Sequence, residues 1–300
     1  MIVHHKILDL YETLDLVSDN DLDFTILSIP DIHPVLPYKS PVLQANYFSF
    51  ILTEVGSGVF NLDDSQFPFS SKSFYFTNPG HIKSYELFDS KEAYIISLSD
   101  QFLQECITTE IYKEFPFLLA EKAPPHQLSE TDFKEFKVIY HQIQTEFEKE
   151  SVFKNKILGN LFTVLLYKVK EKIWSTYNPI EEGNRNSQIV KAFKIQLEKT
   201  FKQLLAKNTT SLQAQSFAKA LNLHPNYLNS VIKSKTGRTV NDWISERTLS
   251  VAKTLLSNTS MSIKEIGYRL GFSEPTHFGR FFKKRTNTSA TEFRKTVENT

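Results

Sequence analysis

The first third of the chain alternates apolar or aromatic residues with polar ones, the two-residue period that is typical of β-strands. The runs that show this pattern are LDFTILSI (22–29), YFSFILTEV (47–55), KSFYFTN (72–78), HIKSYELF (81–88) and EAYIISLS (92–99). Turn-forming residues separate these runs at Gly56-Ser57-Gly58, Asp63-Asp64 and Asn78-Pro79-Gly80. Strands joined by short turns predict an antiparallel sandwich or barrel, and we expect a small β-barrel over residues 1–125.

Two later stretches follow the three-and-four spacing of amphipathic helices. The apolar positions are Phe133, Phe136, Ile139, Tyr140, Ile143 and Phe147 in the first, and Ile157, Leu158, Leu161, Phe162, Leu165, Val169 and Ile173 in the second. These stripes either pack against the barrel or pair with the same helices of a second subunit. We therefore predict a helical linker or dimerisation region over 126–175, and we expect a homodimer. The polar segment 175–186, which holds Pro179 and Gly183, is predicted to be a domain linker.

Beyond that linker every periodic segment has the helical period. The segments are 187–205, 211–221, 224–235, 240–258, 262–270 and 274–285. Their predicted boundaries rest on the N-caps Ser211, Thr239, Ser262 and Ser273, on Pro225 and Pro275 in first turns, and on Gly237 and Gly271 after helix ends. Helix, short turn and helix occur twice. The predicted fold class is therefore α+β, with an all-α domain of two helix-turn-helix units over 187–300.

Charge is distributed unevenly, although the net formal charge is only +1. Residues 1–120 hold 6 Lys, no Arg and 17 Asp or Glu, whereas residues 211–300 hold 14 basic and 6 acidic residues. The first arginine of the chain is Arg185. A C-terminal excess of Lys and Arg predicts binding to a polyanion. The alternative from charge alone is a solvated basic face.

The second helix of each predicted pair has one apolar and one polar face. The residues expected to face inward are Tyr227, Leu228, Val231 and Ile232 in the first, and Phe278, Phe281 and Phe282 in the second. Those expected to face outward are Asn226, Asn229, Ser230 and Lys233, and Thr276, His277, Arg280, Lys283 and Lys284. Arg and Asn side chains can bridge base edges in the major groove, and Lys neutralises phosphates. The helix between the two pairs, about 19 residues and ~28 Å long, is close to the ~34 Å of one DNA turn.

At these residues the sequence resembles the AraC/XylS family of bacterial transcription regulators, over about 188–295. The resemblance rests on YLNSVIKSKTG, on Arg247, Ala252, Leu255 and Leu256, and on IKEIGYRLGFSEPTHFGRFFKK. The departures from the family pattern are Gly267 where alanine is usual, and Asn287, Ala290 and Phe293 where glycine, proline and tyrosine are favoured. These departures concern local stability and leave the resemblance intact.

The resemblance implies a sequence-specific DNA-binding regulator, by expectation an activator. It implies base reading by Asn226, Asn229, Ser230, Thr276, His277 and Arg280, and the lysines expected at phosphates are Lys233, Lys235, Lys283 and Lys284. The implied partners are double-stranded promoter DNA, RNA polymerase and a small-molecule effector held in a cupin-like barrel. The first alternative is a ligand-independent DNA-binding protein whose β domain serves only for oligomerisation.

A second alternative is an enzyme, either a cupin-type enzyme fused to a DNA-binding module or a DNA alkyl-transfer protein with a reactive cysteine. Both lack their chemistry in this sequence. Cys106 lies in QECITT, without neighbours that would activate a thiolate, and we interpret it as a small buried hydrophobe. A metal-binding cupin would show His-x-His followed by Glu, whereas this chain offers only His81 and Glu86. We interpret His81 as a surface or hydrogen-bonded loop histidine. The sequence therefore predicts no catalytic residue, no metal and no cofactor.

The chain also lacks the signals of a membrane or secreted protein. Its longest strongly apolar stretch, Ile157 to Tyr167, is far shorter than the ~20 residues of a membrane span. The N-terminus has neither a basic segment followed by an apolar one nor a small-residue cleavage site. We expect a cytoplasmic protein that does not bind membranes.

Overall fold

The computed structural model describes residues 2–18, 22–107, 111–120, 122–175, 185–207 and 212–298. The predicted N-cap Ser211 and most of the predicted linker lie outside these ranges. Within them, a multi-stranded sheet precedes a helical C-terminal region, which confirms the α+β class. Among the described residues, no helix is both long and apolar enough to cross a membrane.

The described strands form one sheet in the N-terminal part of the chain. They are β1 (Ile2–His4), β2 (Phe24–Ser28), β3 (Tyr38–Lys39), β4 (Leu43–Ala45), β5 (Phe48–Leu62), β6 (Ser65–Phe69), β7 (Ser73–Thr77), β8 (Ile82–Leu98) and β9 (His126–Gln127). Strand β8 pairs antiparallel with β2, β3, β4 and β5, and β5 also pairs with β6 and β7. The two longest strands therefore hold the sheet together.

The helices lie mostly after the sheet. They are α1 (Ile7–Thr13), α2 (Ile29–Ile32), α3 (Asp100–Cys106), α4 (Ile111–Glu114), a 3-10 turn (Pro116–Leu119), α5 (Glu130–Phe147), α6 (Lys154–Lys172), α7 (Arg185–Lys207), α8 (Ala214–Ala220), α9 (Pro225–Thr236), α10 (Val240–Asn258), α11 (Ile263–Arg269), α12 (Pro275–Thr286) and α13 (Ala290–Glu298). The six C-terminal segments predicted to be helical are all helices. Helix α13 was not predicted from the sequence, although Ser289 and Glu292 exchange the hydrogen bonds of a capping box at its start.

The predicted turn at Gly56-Ser57-Gly58 is wrong, because β5 continues through these residues. Strand β8 likewise continues through 88–92, where the sequence suggested two separate strands. The pairing of β5 with β8 shifts register between Thr53 and Gly58. A Cβ at Gly58 would lie 2.1 Å from the Glu86 carbonyl oxygen, so glycine is required there by the close approach of the two backbones.

Both faces of the sheet are apolar. The outer face is the one that helices α3, α5 and α6 cover, and there Phe50, Phe74 and Ile96 pack with the buried Phe136 and Leu165 of the helices. The apolar stripes of α5 and α6 are thus largely buried in the core of their own chain, which is the first of the two alternatives considered for them.

The inner face of the sheet carries a second apolar cluster on the intervening residues of the same strands. Ile51 lies between two outer-face residues of β5, and Tyr75 lies likewise on β7. Residues from both halves of β5 and β8, such as Ile51 with Phe60 and Leu87 with Ile95, line one cavity on this side. The sheet therefore curves around that cavity.

The helical region has its own core and packs against the sheet region. The core includes Phe193, Phe201, Trp243, Phe278 and Phe282 from α7, α10 and α12. At the contact between the two regions, Lys253 Nζ of α10 lies 3.5 Å from Glu105 Oε1 of α3. The buried Lys194 ammonium lies 5.7 Å from the ring centroid of Phe48 and 4.9 Å from that of Trp243. Charged as well as apolar groups therefore join the two regions.

Candidate nucleic-acid interface

Helices α8 and α9 form one closely joined pair, and α11 and α12 form another. Helix α9 begins after His224, whose Nδ1 accepts a hydrogen bond from the Asn226 backbone N–H at 3.3 Å. It ends at Gly237, which has a φ of 72° and so takes the left-handed conformation of many helix ends. Helix α12 ends at Asn287 in the same conformation, with a φ of 59°. Both second helices begin with a proline, Pro225 in α9 and Pro275 in α12, and both end at a residue in the left-handed conformation.

Two of the predicted N-caps are confirmed and one is wrong. Thr239 Oγ1 accepts from the Asp242 N–H, and Ser262 Oγ accepts from the Glu265 N–H, each at 3.2 Å. Glu274, not Ser273, occupies the N-cap of α12, and its side chain makes no capping hydrogen bond. The reason is Pro275, which takes the first helical position and so makes the preceding residue the cap.

The inward faces of α9 and α12 are largely as predicted. Leu228, Val231 and Ile232 are buried, and so are Phe278 and Phe282. Tyr227 was predicted to face inward, and this is wrong.

Tyr227 remains 40% exposed, and its hydroxyl donates to Asn186 Oδ1 at 3.4 Å. The buried stripe of α9 runs from Leu228 through Ile232 to Thr236, so residue 227 falls at the edge of that stripe.

Three of the predicted DNA-contact residues on α9 are exposed to solvent, namely Asn226, Ser230 and Lys233. Asn229 is half-buried, and its Oδ1 accepts a hydrogen bond from the Val240 backbone N–H at 3.1 Å. The half-buried Lys235 lines a cleft against the sheet region.

The close contact at Lys235 involves the loop between β7 and β8. A Cβ at Gly80 would lie 1.9 Å from the Lys235 carbonyl oxygen, so only glycine fits this approach. Gly80 also has a φ of 93°, which favours glycine. The structure thus brings Asn226, Ser230 and Lys233 to one open face and places Lys235 at the contact between the two regions.

On α12, all the predicted contact residues are exposed. They are Thr276, His277, Arg280, Lys283 and Lys284. The carboxylate of Glu274 accepts from Thr276 Oγ1 at 3.2 Å and lies 3.9 Å from His277 Nε2. Arg280 has no hydrogen-bond or ion-pair partner among the described residues, so its guanidinium is open to a ligand.

Two further arginines, Arg247 and Arg238, form ion pairs within the helical region. Arg247 of α10 lies 3.0 Å from Glu198 of α7, and both side chains are buried. Burial raises the pKa of Glu198 to about 7, although the Arg247 charge acts in the opposite direction. Arg238 stacks 3.9 Å from the Trp243 ring centroid and pairs with Glu246 at 2.7 Å. These arginines are committed to packing and are not part of the exposed face.

The residues considered for enzyme chemistry have ordinary surroundings. Burial raises the pKa of the Cys106 thiol to about 12, so the reactive thiolate is scarce at neutral pH. Cys106 is half-buried at the α3–α6 contact, where Gly159 packs against its backbone. His81 Nδ1 lies 2.7 Å from Asp63 Oδ2. Within the part of the chain that the structure describes, no three His, Cys, Asp or Glu side chains form a group able to hold a metal ion.

Residues 217–296, which include both α9 and α12, match the family model of a helix-turn-helix domain. The chain is 28% identical to the Msm operon regulatory protein of Streptococcus mutans over 143 residues, 48% of each chain. It is 38% identical to the arabinose operon regulatory protein of Escherichia coli over 79 residues, 26% of this chain and 27% of that protein. By its helical domain, the chain belongs to the AraC/XylS family.

A solved structure is also similar in this domain. The C-terminal domain of AraT, a response regulator from Geobacillus stearothermophilus, is 30% identical, with a TM-score of 0.33 over 38% of this chain and 88% of that one. The chain spans about half of the Streptococcus protein and about a quarter of the arabinose regulator. The AraC/XylS assignment therefore rests on the helical domain, and the relatives are themselves named as regulators.

Proposed function

We propose that the chain is a transcription regulator that binds double-stranded promoter DNA through α9 and α12. The observation that carries this proposal is the exposed polar and cationic face on the second helix of both pairs. Asn226 and Ser230 on α9 and Arg280 on α12 are exposed, and the sheet region contacts α9 at Lys235 instead. Amide, hydroxyl and guanidinium groups are among those that form hydrogen bonds with base edges in the major groove.

The two faces divide into base-reading and phosphate-binding parts. The base-reading set is Asn226, Ser230, Thr276, His277 and Arg280, and the phosphate-binding set is Lys233, Lys283 and Lys284. Asn229 contributes only its amide nitrogen, since its carbonyl oxygen is engaged by Val240. Helix α10 has 19 residues and so spans ~28 Å, which suits two reading helices in successive major grooves.

The chain acts as a dimer in this proposal, through the solvent side of α5 and α6. Ile157, Leu161 and Val164 recur at helical spacing on α6, and Ile157 and Val164 are exposed. Leu161 and Val138 of α5 line the same groove. An exposed apolar stripe over two helical turns is the pattern by which helices pair.

The N-terminal sheet region is a cupin-like barrel that senses a small molecule in this proposal, and the bound regulator activates transcription by contacting RNA polymerase. The inner cavity of the sheet supports the sensing role, since it encloses a mostly apolar space with a few polar groups. The ligand-independent alternative has no corresponding use for such a cavity.

The direct test is a titration of the full chain with duplex DNA at several salt concentrations. Neutralising ~6–10 phosphates should lower the affinity roughly 10³- to 10⁵-fold between 50 and 200 mM salt. A pool of random duplexes should then yield a preferred sequence after selection with the same protein. An affinity that is independent of salt, or a selected pool that stays random, would contradict the proposal.

A further inference from the structure

Tyr227 occupies an exposed flank of α9, the first proposed reading helix. Each residue turns ~100° round a helix, so Tyr227 lies between the exposed Ser230 and the buried Val231. Tyr227 is 40% exposed, and its hydroxyl reaches Asn186 Oδ1 only at 3.4 Å. Hydrogen bonds between oxygens are normally ~2.5–3.0 Å long, so this hydroxyl is weakly held and can donate to another acceptor.

The opposite flank of α9 is already engaged by the protein. There the side-chain oxygen of Asn229 accepts a hydrogen bond from the Val240 backbone N–H at 3.1 Å, so this flank faces α10. The flank that carries Tyr227 faces α7 instead, through the contact with Asn186. Of the two flanks, the Tyr227 side therefore has the polar group that a ligand can engage.

Helices α7 and α9 lie side by side and run in the same direction. Near their starts, Asn186 of α7 contacts Tyr227 of α9. Residues eight positions later in each helix, Lys194 and Lys235, line one cleft, and eight residues span ~12 Å of helix. The first turns of α7 and α9 therefore lie next to each other at the same end of the two helices.

Arg185 is the first residue of α7 and is exposed. Its guanidinium makes no hydrogen bond or ion pair with another residue that the structure describes. Because Arg185 directly precedes Asn186, it lies at the end of α7 that adjoins Asn226 and Tyr227. A guanidinium has a permanent charge and a planar set of donors that matches phosphate.

A helix in the major groove of DNA has phosphates on both of its flanks. The groove is ~12 Å wide, and a helix with its side chains is ~10–12 Å across. Residues on the flanks therefore reach the sugar-phosphate walls, while the face between them reaches the bases. In the proposed complex that face carries Asn226 and Ser230. Tyrosine hydroxyls and arginine guanidinium groups both donate to phosphate oxygens in protein–DNA complexes.

We propose that Arg185 of α7 and Tyr227 of α9 together bind phosphates of one DNA strand, beside the bases that Asn226 and Ser230 read. Arg185 supplies the charge, and Tyr227 supplies a neutral donor. This inference rests on the proposed function and extends the DNA contact from α9 and α12 to the start of α7.

The first test compares the salt dependence of DNA binding between variants of the full chain. Arg185→Gln removes the charge and should weaken binding to the selected duplex about tenfold, the value of one hydrogen bond to a charged group. It should also reduce the slope of log affinity against log salt concentration by about 0.9, the value for one phosphate. Lys199→Gln is the control, since it removes an exposed charge from the same helix ~21 Å away and should change neither quantity. A wild-type slope in Arg185→Gln, or an equal loss in Lys199→Gln, would overturn the proposal.

The second test locates the phosphates. Duplexes in which one phosphate at a time is replaced by a neutral methylphosphonate should show the positions where the wild type loses affinity. Arg185→Gln should no longer lose affinity at one of these positions, and Tyr227→Phe should no longer lose it at the same or the adjacent one, because a contact already absent cannot be removed again. The same profile of losses in the wild type and both variants would overturn the proposal.

Asn186→Ala separates a DNA contact from helix packing. It removes the acceptor of the Tyr227 hydroxyl, so a tyrosine that acts only by holding α7 against α9 predicts equal losses of affinity for Asn186→Ala and Tyr227→Phe. The proposal predicts that only Tyr227→Phe weakens binding. A wild type without salt-dependent DNA binding would overturn the proposed function as well. A wild type that binds DNA no more tightly than Arg185→Gln and Tyr227→Phe would overturn this inference alone.

Discussion

The side-chain oxygen of Asn229 accepts a hydrogen bond from the backbone N–H of Val240 at 3.1 Å. Val240 is the first residue of α10, and the N–H groups of a helix's first turn have no partner within the helix. Asn229 thus ties the first proposed reading helix to the helix that connects the two pairs. Its neighbour Asn226 points to solvent and makes no such contact through its side chain.

The first prediction compares these two asparagines. Asn229→Ala should lower the free energy of unfolding by about 1 kcal/mol, because the partly buried Val240 contact loses its acceptor. Asn226→Ala should change it by no more than ~0.5 kcal/mol, as for other exposed positions. Urea denaturation of the full chain measures both. Equal effects of the two substitutions would show that the contact with Val240 contributes nothing to stability.

Sequence patterns alone predicted the helices well and the role of Asn229 poorly. Helical period, prolines and capping residues are local signals, so the bounds of α9, α10 and α12 follow closely from the chain. The acceptor role of Asn229 depends on a residue eleven positions later, and an outward-facing amide has the same sequence signature whether or not a neighbouring helix uses it.

The second prediction separates the core of α6 from its solvent side. Leu165 is fully buried, whereas its neighbour Val164 is 47% exposed. Leu165→Ala should lower the free energy of unfolding by ~2–5 kcal/mol, the usual cost of truncating a buried leucine.

Val164→Asp should instead dissociate the proposed dimer with little change in the stability of each subunit, because it places charge on the exposed stripe. Sedimentation measures whether the dimer dissociates, and thermal unfolding measures the stability of each subunit. A Val164→Asp protein that sediments as the wild type does would exclude this face as the dimer contact.

The third prediction concerns the buried pair of Glu198 and Arg247. Burial raises the pKa of Glu198 to about 7 in the folded chain, above the ~4.3 of an unfolded glutamate. Between these two pKa values the folded state holds a proton on Glu198 that the unfolded state releases. The stabilisation from this protonation is fully present below about pH 4 and is lost as the pH rises through about 7.

Glu198→Gln removes that titration and keeps a group able to accept from Arg247. We expect the stability of the wild type relative to Glu198→Gln to fall between pH 4.5 and 7.5 and to level off above. Chemical denaturation at several pH values measures the difference. A constant difference across that range would mean that Glu198 stays ionised in the folded chain.

The fourth prediction compares two glycines in helices of the second pair. A Cβ at Gly279 in α12 would meet nothing within 4 Å, whereas a Cβ at Gly267 in α11 would lie 3.1 Å from Phe278 Cβ. Gly279→Ala should stabilise the protein by up to ~1 kcal/mol, the difference in helix propensity between the two residues. Gly267→Ala should gain less, because the buried Phe278 must shift. Thermal unfolding of both variants measures the two gains in stability. Equal gains would show that the Phe278 side chain shifts at no cost to make room for the new methyl group.

The last prediction separates base reading from phosphate binding on α12. Arg280 lies one turn after Thr276 on the exposed face, and Lys283 lies nearer the helix end. The structure pairs Glu274 with Thr276 and not with Arg280, so removing the guanidinium breaks no described contact. Arg280→Ala should cost about 1–3 kcal/mol on the selected DNA sequence and relax the preference at one base position, because a bidentate guanidinium contact distinguishes bases.

Lys283→Ala is the matched control, since it removes an equal charge from the same exposed helix. It should weaken binding to all sequences alike and reduce the slope of affinity against salt concentration by about one phosphate contact. Selection of binding sites with wild type and both variants measures the preference at each position. If Arg280→Ala selects the wild-type consensus with every position equally stringent, Arg280 binds phosphate as Lys283 does, and the specificity of α12 must come from Thr276 and His277.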